Sequence, residues 1–526
     1  MLPRTSRILP ALLLGALIFR VAWWLLYVDV VENEGVEYIR LAANWFSGHG
    51  YVSIFGGPHT LFPPFYPLLI GLTSLLTGST EFAARLVSLA SGLLLVWAVY
   101  RLASDVLGEV AGIAAGALAA VHPLLVALSV STYSEALYLG LSMAAAALAV
   151  RWVARPSVWL ALSVGALCGV AYLTRPEGIA LAPLFAVTLL LASRRLGLRK
   201  AVGSGAALGL TALLVALPYV GWLSAIAGTF RWEGKSAMNN LVVANLARGE
   251  SYGEAARGLD SAGAPTGAFM FLDQHARLRE SRPEGGSLLR EIARDPLGRG
   301  YQVASRVLNA RFLGGILILV LAATGFLFGG AWRREPVGAI LALVPSMVTL
   351  AALLSVEWLW DRYLFALLPG LLIWAGGGIQ RIARVSRSAA LGVALLVPAL
   401  SLRPVLGVGD INQTRLTDVR VTGTWIGTDA RTRTPGERPL IAGSRLALAH
   451  YAEGEEVYLP WADEARALIF LRRIGPDYVA VRTSEREMAP YLRAWLDGEG
   501  PSECLTPAEG LPPEASRFYR VWRWRC

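Results

Sequence analysis

The chain has 526 residues, 55% hydrophobic and only 16% charged, with mean hydropathy +0.50 and formal net charge +10. Apolar runs near twenty residues recur along most of it, which excludes a soluble globular enzyme or a disordered chain and reads as a polytopic helical membrane protein. The positive charge is that of cytoplasmic loop anchoring, not of nucleic-acid binding, and no nucleotide-binding loop is present for ATP-driven work.

In chain order, Met1 to Arg7 precede an apolar run that is read as a retained first span rather than a signal peptide, since it is long and no small-residue cleavage site follows. About eleven spans are expected. They fall at residues 8–28, 82–101, 109–128, 134–152, 157–173, 178–193, 201–226, 311–331, 337–356, 363–379 and 388–405. Between the first two, residues 36–47 and 64–77 read as surface-lying helices. Numbering the loops from a cytoplasmic N-terminus puts Arg101, Arg151, Arg155, Arg333, Arg334 and Arg381 on the inner side. The short outer loops then hold Asp29, Glu32, Glu34, Glu37, Glu135, Glu177, Glu357 and Asp361 with few bases. This asymmetry assigns the acidic loops to the extracytoplasmic face.

The domain division is therefore a membrane module over 1–405 and a tail over 406–526. Within the module, a first extracytoplasmic loop spans 29–81 and a larger one 227–310. The tail reads as a small α/β domain, with strands at Pro439–Gly443 and Asp477–Val481 and helices at Asp463–Ile474 and Glu485–Leu496. Of three cysteines, Cys168 sits in an apolar run. Cys504 and Cys526 both lie in the tail, and whether they are bonded stays open.

The chemistry-bearing residues sit in short outer loops. The first loop carries Asp29, Glu32, Glu34 and Tyr38, then Phe62-Pro63-Pro64-Phe65-Tyr66-Pro67. Later loops supply Tyr133 and Glu135, Arg175-Pro176-Glu177, Arg231 to Lys235, and Trp360-Asp361-Arg362. Only two of the 48 basic residues, Lys200 and Lys235, are lysines, which singles out Lys235 in an outer loop. Taken together these are carboxylates ringed by Arg175, Arg231, Lys235 and Arg362. A carboxylate can act as general base toward a hydroxyl, and arginines and a lysine can hold a phosphate as it leaves. The bland readings stand beside this: Glu32 and Glu34 as helix-capping acids, Arg175–Glu177 and Asp361–Arg362 as local ion pairs, and Lys235 as a snorkelling side chain. Glu135 is read as orienting its neighbours. His49, His59, His122, His275 and His450 have no ligand spacing, so no zinc site is expected.

The run Glu32-Asn33-Glu34-Gly35-Val36-Glu37-Tyr38, followed by Ala42, Gly48, Gly50-Tyr51 and Pro63-Pro64-Phe65-Tyr66-Pro67, resembles the first extracytoplasmic loop of the GT-C glycosyltransferases. It is most similar to the branch of the protein O-mannosyltransferases and the lipid A aminoarabinose transferase. The resemblance extends to His122-Pro123, Ser134-Glu135, Arg175 to Gly178 and Asp361-Arg362-Tyr363, and covers most of the chain to about residue 405. It implies a GT-C membrane module and transfer of a sugar from a polyprenyl-phosphate donor to an extracytoplasmic glycan, lipid or protein acceptor, with inversion. The implied base is Glu34, onto which the motif position maps best, with Glu32 second; this chain has Glu-Asn-Glu-Gly where relatives often carry Asp followed by Glu or Gly, which leaves the base open between the two. Arg175, Lys235, Arg362 and Arg231 would hold the donor phosphate, and Asp29, Tyr38, Tyr66, Glu135, Glu177 and Asp361 would contact substrate. The oligosaccharyltransferase-type Asp-x-Asp is absent, so no metal ligand is assigned, and a divalent cation stays an open cofactor. The implied location is the inner membrane of a bacterial or archaeal cell, with the site and tail outside the cytoplasm. The rivals are a flippase for a lipid-linked saccharide and a non-catalytic lipid-binding member of the fold. A flippase would show charged residues within its spans and inverted repeats. Only Arg20 is clearly intramembrane, and no repeat is visible.

Overall fold

The structure is a computed structural model, and it describes residues 5–28, 30–31, 33–192, 197–270, 295–355, 361–408 and 417–526. The chain divides into two compact units, each assembled from three stretches. The first comprises Met1–Val28, Pro63–Gly221 and Glu284–Asn412; the second comprises Asp29–Phe62, Trp222–Pro283 and Gln413–Cys526.

The first unit is helical. Among the described residues, eight helices are long and apolar enough to cross a membrane: Ile8–Tyr27, Thr80–Leu107, Glu135–Ala154, Leu198–Ala227, Gly315–Arg334, Pro336–Ser355, Asp361–Val385 and Arg387–Leu406. The other expected spans coincide with the shorter apolar helices Glu109–Val121, Val158–Tyr172 and Pro176–Leu191. The run expected at 109–128 breaks at His122, which is extended (φ −63°, ψ 120°) because Pro123 follows and opens a new helix, Pro123–Leu128. Ends are set by local chemistry. Ser79 caps Thr80–Leu107 by accepting a bond from the Phe82 amide at 3.3 Å, and Gly78 closes Phe65–Thr77 in the left-handed region (φ 71°).

Small residues let these helices touch. A Cβ on Gly325 would run into the carbonyl of Trp374, and one on Gly378 into the carbonyl of Leu321. The run Ala375-Gly376-Gly377-Gly378 thus provides the close approach that packs helices where no water can drive association. Arg20, fully buried in the first helix, donates from Nη1 to the carbonyls of Ala16 (3.1 Å) and Ala120 (2.9 Å), and from Nη2 to that of Ala119 (3.3 Å). Its guanidinium therefore satisfies the last carbonyls of Glu109–Val121, which accounts for an intramembrane charge without a transport role.

In the second unit, five strands form one sheet of order β2-β1-β3-β5-β4: β1 Leu440–Gly443, β2 Glu455–Tyr458, β3 Tyr478–Arg482, β4 Leu505–Pro507 and β5 Tyr519–Trp524. β1 is parallel to β2 and β3, whereas β5 is antiparallel to β3 and β4. The helix Glu464–Ile474 is capped by Asp463 and ended by Gly475 (φ 64°), as its composition predicts. The helix expected over 485–496 is confined to Leu492–Leu496: Pro490, with no N–H to donate, breaks the run before it. The core gathers Leu459, Phe470, Leu471, Val479, Val481 and Trp495. Asp429, from the helix Thr417–Arg433, ties that helix to the sheet: Arg523 Nη2 donates to it at 2.7 Å and the Tyr478 hydroxyl at 2.6 Å. Partial burial alone would raise the Asp429 carboxyl, but those bonds carry it below its usual range.

Cys504 and Cys526 are bonded, with a Cα–Cα distance of 4.9 Å and a sequence separation of 22. Closing a loop of that length should stabilise the tail by about 2–4 kcal/mol. Cys504→Ser with Cys526→Ser is accordingly expected to lower the unfolding temperature of the tail. Adding reductant should reproduce that loss in the wild type and leave the double mutant unchanged.

The first-loop stretch folds within this second unit. Arg40 Nη2 donates to the Gly454 carbonyl at 2.7 Å, the Val31 amide to the Tyr451 hydroxyl at 3.0 Å, and the Glu456 amide to the Ile54 carbonyl at 3.0 Å.

Candidate active site

Two clusters, one in each unit, gather several of the described candidate residues. Asp29 and Glu32 lie outside the described residues, as do His275, Glu357, Trp358 and Trp360.

In the first unit the centre is Glu135, the first residue of the helix Glu135–Ala154 and buried. Its Oε1 receives Arg362 through Nη2 at 2.6 Å and Nε at 2.7 Å, and Arg175 through Nη1 at 3.0 Å. Arg175 precedes a short 3-10 turn, Pro176–Ala180. Its own extended backbone (φ −147°, ψ 135°) is what a residue before proline adopts. Arg175 Nε also donates to Glu177 at 2.6 Å. The Arg362 guanidinium lies over the Tyr133 ring, 4.5 Å from its centroid. The four charged side chains carry two charges of each sign, so the cluster is balanced as it stands and its arginines are oriented before any ligand arrives. A phosphate entering here would share Arg175 and Arg362 with Glu135.

The Arg175–Glu177 pairing anticipated as one reading of the sequence is present. The alternative local pair Asp361–Arg362 is replaced: Asp361 meets Arg306 at 3.2 Å on the surface while Arg362 turns to Glu135. Successive helix residues point in directions roughly 100° apart, so neighbours in sequence do not face one another. Tyr66 is fully buried, its hydroxyl bonded with Ser88 Oγ at 2.7 Å.

The second unit holds Glu34, Lys235, Arg231 and Tyr38. Glu34 opens the helix Glu34–Phe46, and Lys235 opens the helix Lys235–Ala247. Glu34 Oε1 lies 3.6 Å from Lys235 Nζ, with the two side chains 24% and 29% exposed. So exposed a pair contributes only about 0–1 kcal/mol to stability; its consequence is orientation. The approach depends on Gly234, where a Cβ would collide with the Thr60 carbonyl. Lys235 Nζ lies 5.7 Å from the centroid of the Phe62 ring, which packs on Tyr38 at 4.7 Å. Arg231 is buried, and its backbone is tied to Ser224 Oγ through the amide at 2.9 Å and the carbonyl at 3.1 Å.

Sequence reasoning passed over Glu37 and His59. Glu37, one turn after Glu34, is buried and accepts from Ser53 Oγ at 2.6 Å and from the Ile54 amide at 3.0 Å. Burial pushes its carboxyl above the usual carboxylate range, against those two bonds and the nearby Arg40. His59 Nδ1 stands 3.9 Å from Glu37 Oε1. The available signal was the helical spacing of Glu34, Glu37 and Tyr38, which turns all three toward one side.

Among the described residues, no three His, Cys, Asp or Glu side chains come together as cation ligands, and Glu34 faces an ammonium.

Residues 62–222 match the family model described as dolichyl-phosphate-mannose-protein mannosyltransferase. A comparison with curated proteins returned no match. Among solved structures, the Archaeoglobus fulgidus oligosaccharyltransferase crystallised with Zn and sulfate aligns with a TM-score of 0.63 at 13% identity, over 95% of this chain and 71% of that one. The archaeal oligosaccharyltransferase AglB from the same organism, in complex with an inhibitory peptide and a dolichol-phosphate, aligns at 0.58 and 13% identity, over 97% and 74%. ArnT from Cupriavidus metallidurans bound to undecaprenyl phosphate aligns at 0.58 and 14% identity, over 99% and 98%. The chain thus shares a fold with these proteins along nearly its whole length, and its residues 62–222 resemble the mannosyltransferase family.

Proposed function

We propose that the chain transfers a sugar from a polyprenyl-phosphate donor to an extracytoplasmic acceptor, which is a glycan, a lipid or a protein. The observation that carries this is the pairing of Glu34 with Lys235, 3.6 Å apart at the starts of two helices, Glu34 lying in the loop whose sequence resembles the GT-C first loop. The lipid phosphates bound by AglB and ArnT support a donor of that class.

In the step proposed, the acceptor hydroxyl attacks the anomeric carbon on the face opposite the phosphate. The new C–O bond forms as the bond to the phosphate oxygen breaks, the electron pair leaves with polyprenyl phosphate, and the hydroxyl proton passes to Glu34, with Glu32 as the second candidate. A phosphate is a good leaving group, so no general acid is required. The candidates to hold the phosphate and meet its charge as it leaves are Arg175 and Arg362, pre-oriented on Glu135, in the first unit, and, taken separately, Lys235 and Arg231 in the second. Asp29, Tyr38, Tyr66, Glu177 and Asp361 keep their proposed part in lining or shaping the substrate sites. The 1–405 membrane module and the 406–526 tail are the proposed functional parts. The disulfide of the tail suits an oxidising compartment, and the arginine-rich loops suit the cytoplasmic side of an inner membrane.

The test is the anomeric configuration of the transferred sugar, read by NMR on the product made from a donor of known configuration. Inversion is expected; retention would contradict a single displacement assisted by one carboxylate base.

A further inference from the structure

His59 is fully buried and makes a chain of contacts that the proposed mechanism does not use. Its Nε2 accepts a hydrogen bond from the Phe62 amide at 3.0 Å. A ring nitrogen that accepts carries no proton, so the neutral ring carries its hydrogen on Nδ1, the nitrogen 3.9 Å from Glu37 Oε1. The ring also packs on Phe62, with centroids 4.9 Å apart, and meets Tyr51 edge-on at 5.8 Å. Glu37 in turn is fixed to the loop by Ser53 and Ile54. The stretch 51–62 is thus tied to the helix Glu34–Phe46 at both its ends. Its last residues are those that seat Lys235: the Thr60 carbonyl lies against Gly234, and the Phe62 ring lies under the ammonium.

We propose that His59 is a positioning residue: in its neutral form it holds the Phe62 backbone against the helix that carries Glu34, and so fixes Lys235 beside that carboxylate. The inference rests on the reading of Glu34 as the base, and it extends that reading to a residue that touches neither substrate nor Glu34.

The experiment compares wild type, His59→Gln and His59→Phe as full-length protein in detergent. Glutamine places an acceptor near the position of Nε2 at every pH; phenylalanine keeps the ring and removes the acceptor. Hydrogen exchange of the peptide covering Phe62, corrected for the intrinsic rate, is measured beside transfer from a polyprenyl-phosphate sugar. Wild type and His59→Gln should both protect this peptide and transfer sugar. His59→Phe should be unprotected, with kcat down by up to about 100-fold and KM for the donor little changed. A His59→Phe protein as protected as wild type would overturn the proposal, as would a His59→Gln protein as unprotected as His59→Phe. A wild type that exchanges as expected but transfers no sugar would support the lock and sink the transferase reading instead.

Discussion

Glu34→Gln is expected to lower kcat for sugar transfer by about 10²–10⁴-fold while leaving the KM for the donor nearly unchanged. Glutamine keeps the length of the side chain, and its carbonyl oxygen can still accept a hydrogen bond from Lys235, so the geometry at the two helix starts is retained. What it removes is the ability to take a proton from the acceptor hydroxyl. A loss confined to kcat is the signature of an interaction that matters in the transition state and not in donor binding. Single-turnover transfer in membranes checks this. If Glu34→Gln keeps full activity and Glu32→Gln loses it, the base is Glu32, and the Glu34–Lys235 pair is an orienting contact only.

The second large effect is on stability. Glu135→Leu is expected to destabilise the helical unit by about 3–5 kcal/mol. Leucine is close to the volume of the side chain it replaces, but Arg362 then loses the oxygen that it holds with two nitrogens, and Arg175 keeps Glu177. The cost arises from the charges left behind: the Arg175 and Arg362 side chains are only 15% and 13% exposed. Glu135→Gln retains one acceptor oxygen and should cost markedly less. Thermal unfolding in detergent, monitored at the helical signal, separates the two variants. Equal unfolding temperatures for wild type and Glu135→Leu would mean that the arginines are held by other contacts and that Glu135 is not the centre of this cluster.

The architecture was legible where it depends on local pattern. Apolar runs of span length mark helices because the bilayer demands it, and each expected run overlaps an apolar helix. Gly475 and Asp463 bound a tail helix for the same local reasons. Where local rules were overlooked the reading failed, as with Pro490 inside the helix expected at 485–496 and Pro123 inside the run 109–128. The candidate site was legible in residue type and not in partnership. Arg362 and Glu135 are separated by 227 positions, and no spacing in the sequence announces that one oxygen of Glu135 gathers two arginines. His59 was set aside because it lacks a metal-ligand spacing. Its contacts with Glu37 and the Phe62 amide come from the folding of one loop onto one helix, which the pattern of apolar residues does not encode.

The most direct test of the transferase account is turnover of a panel of radiolabelled polyprenyl-phosphate sugars by wild-type membranes, with polyprenyl phosphate and labelled acceptor measured together. The account predicts that at least one donor yields both in equal amounts, and that Glu34→Gln suppresses both. A donor that is bound or carried across the bilayer equally by wild type and mutant, with its sugar–phosphate bond intact, would contradict it.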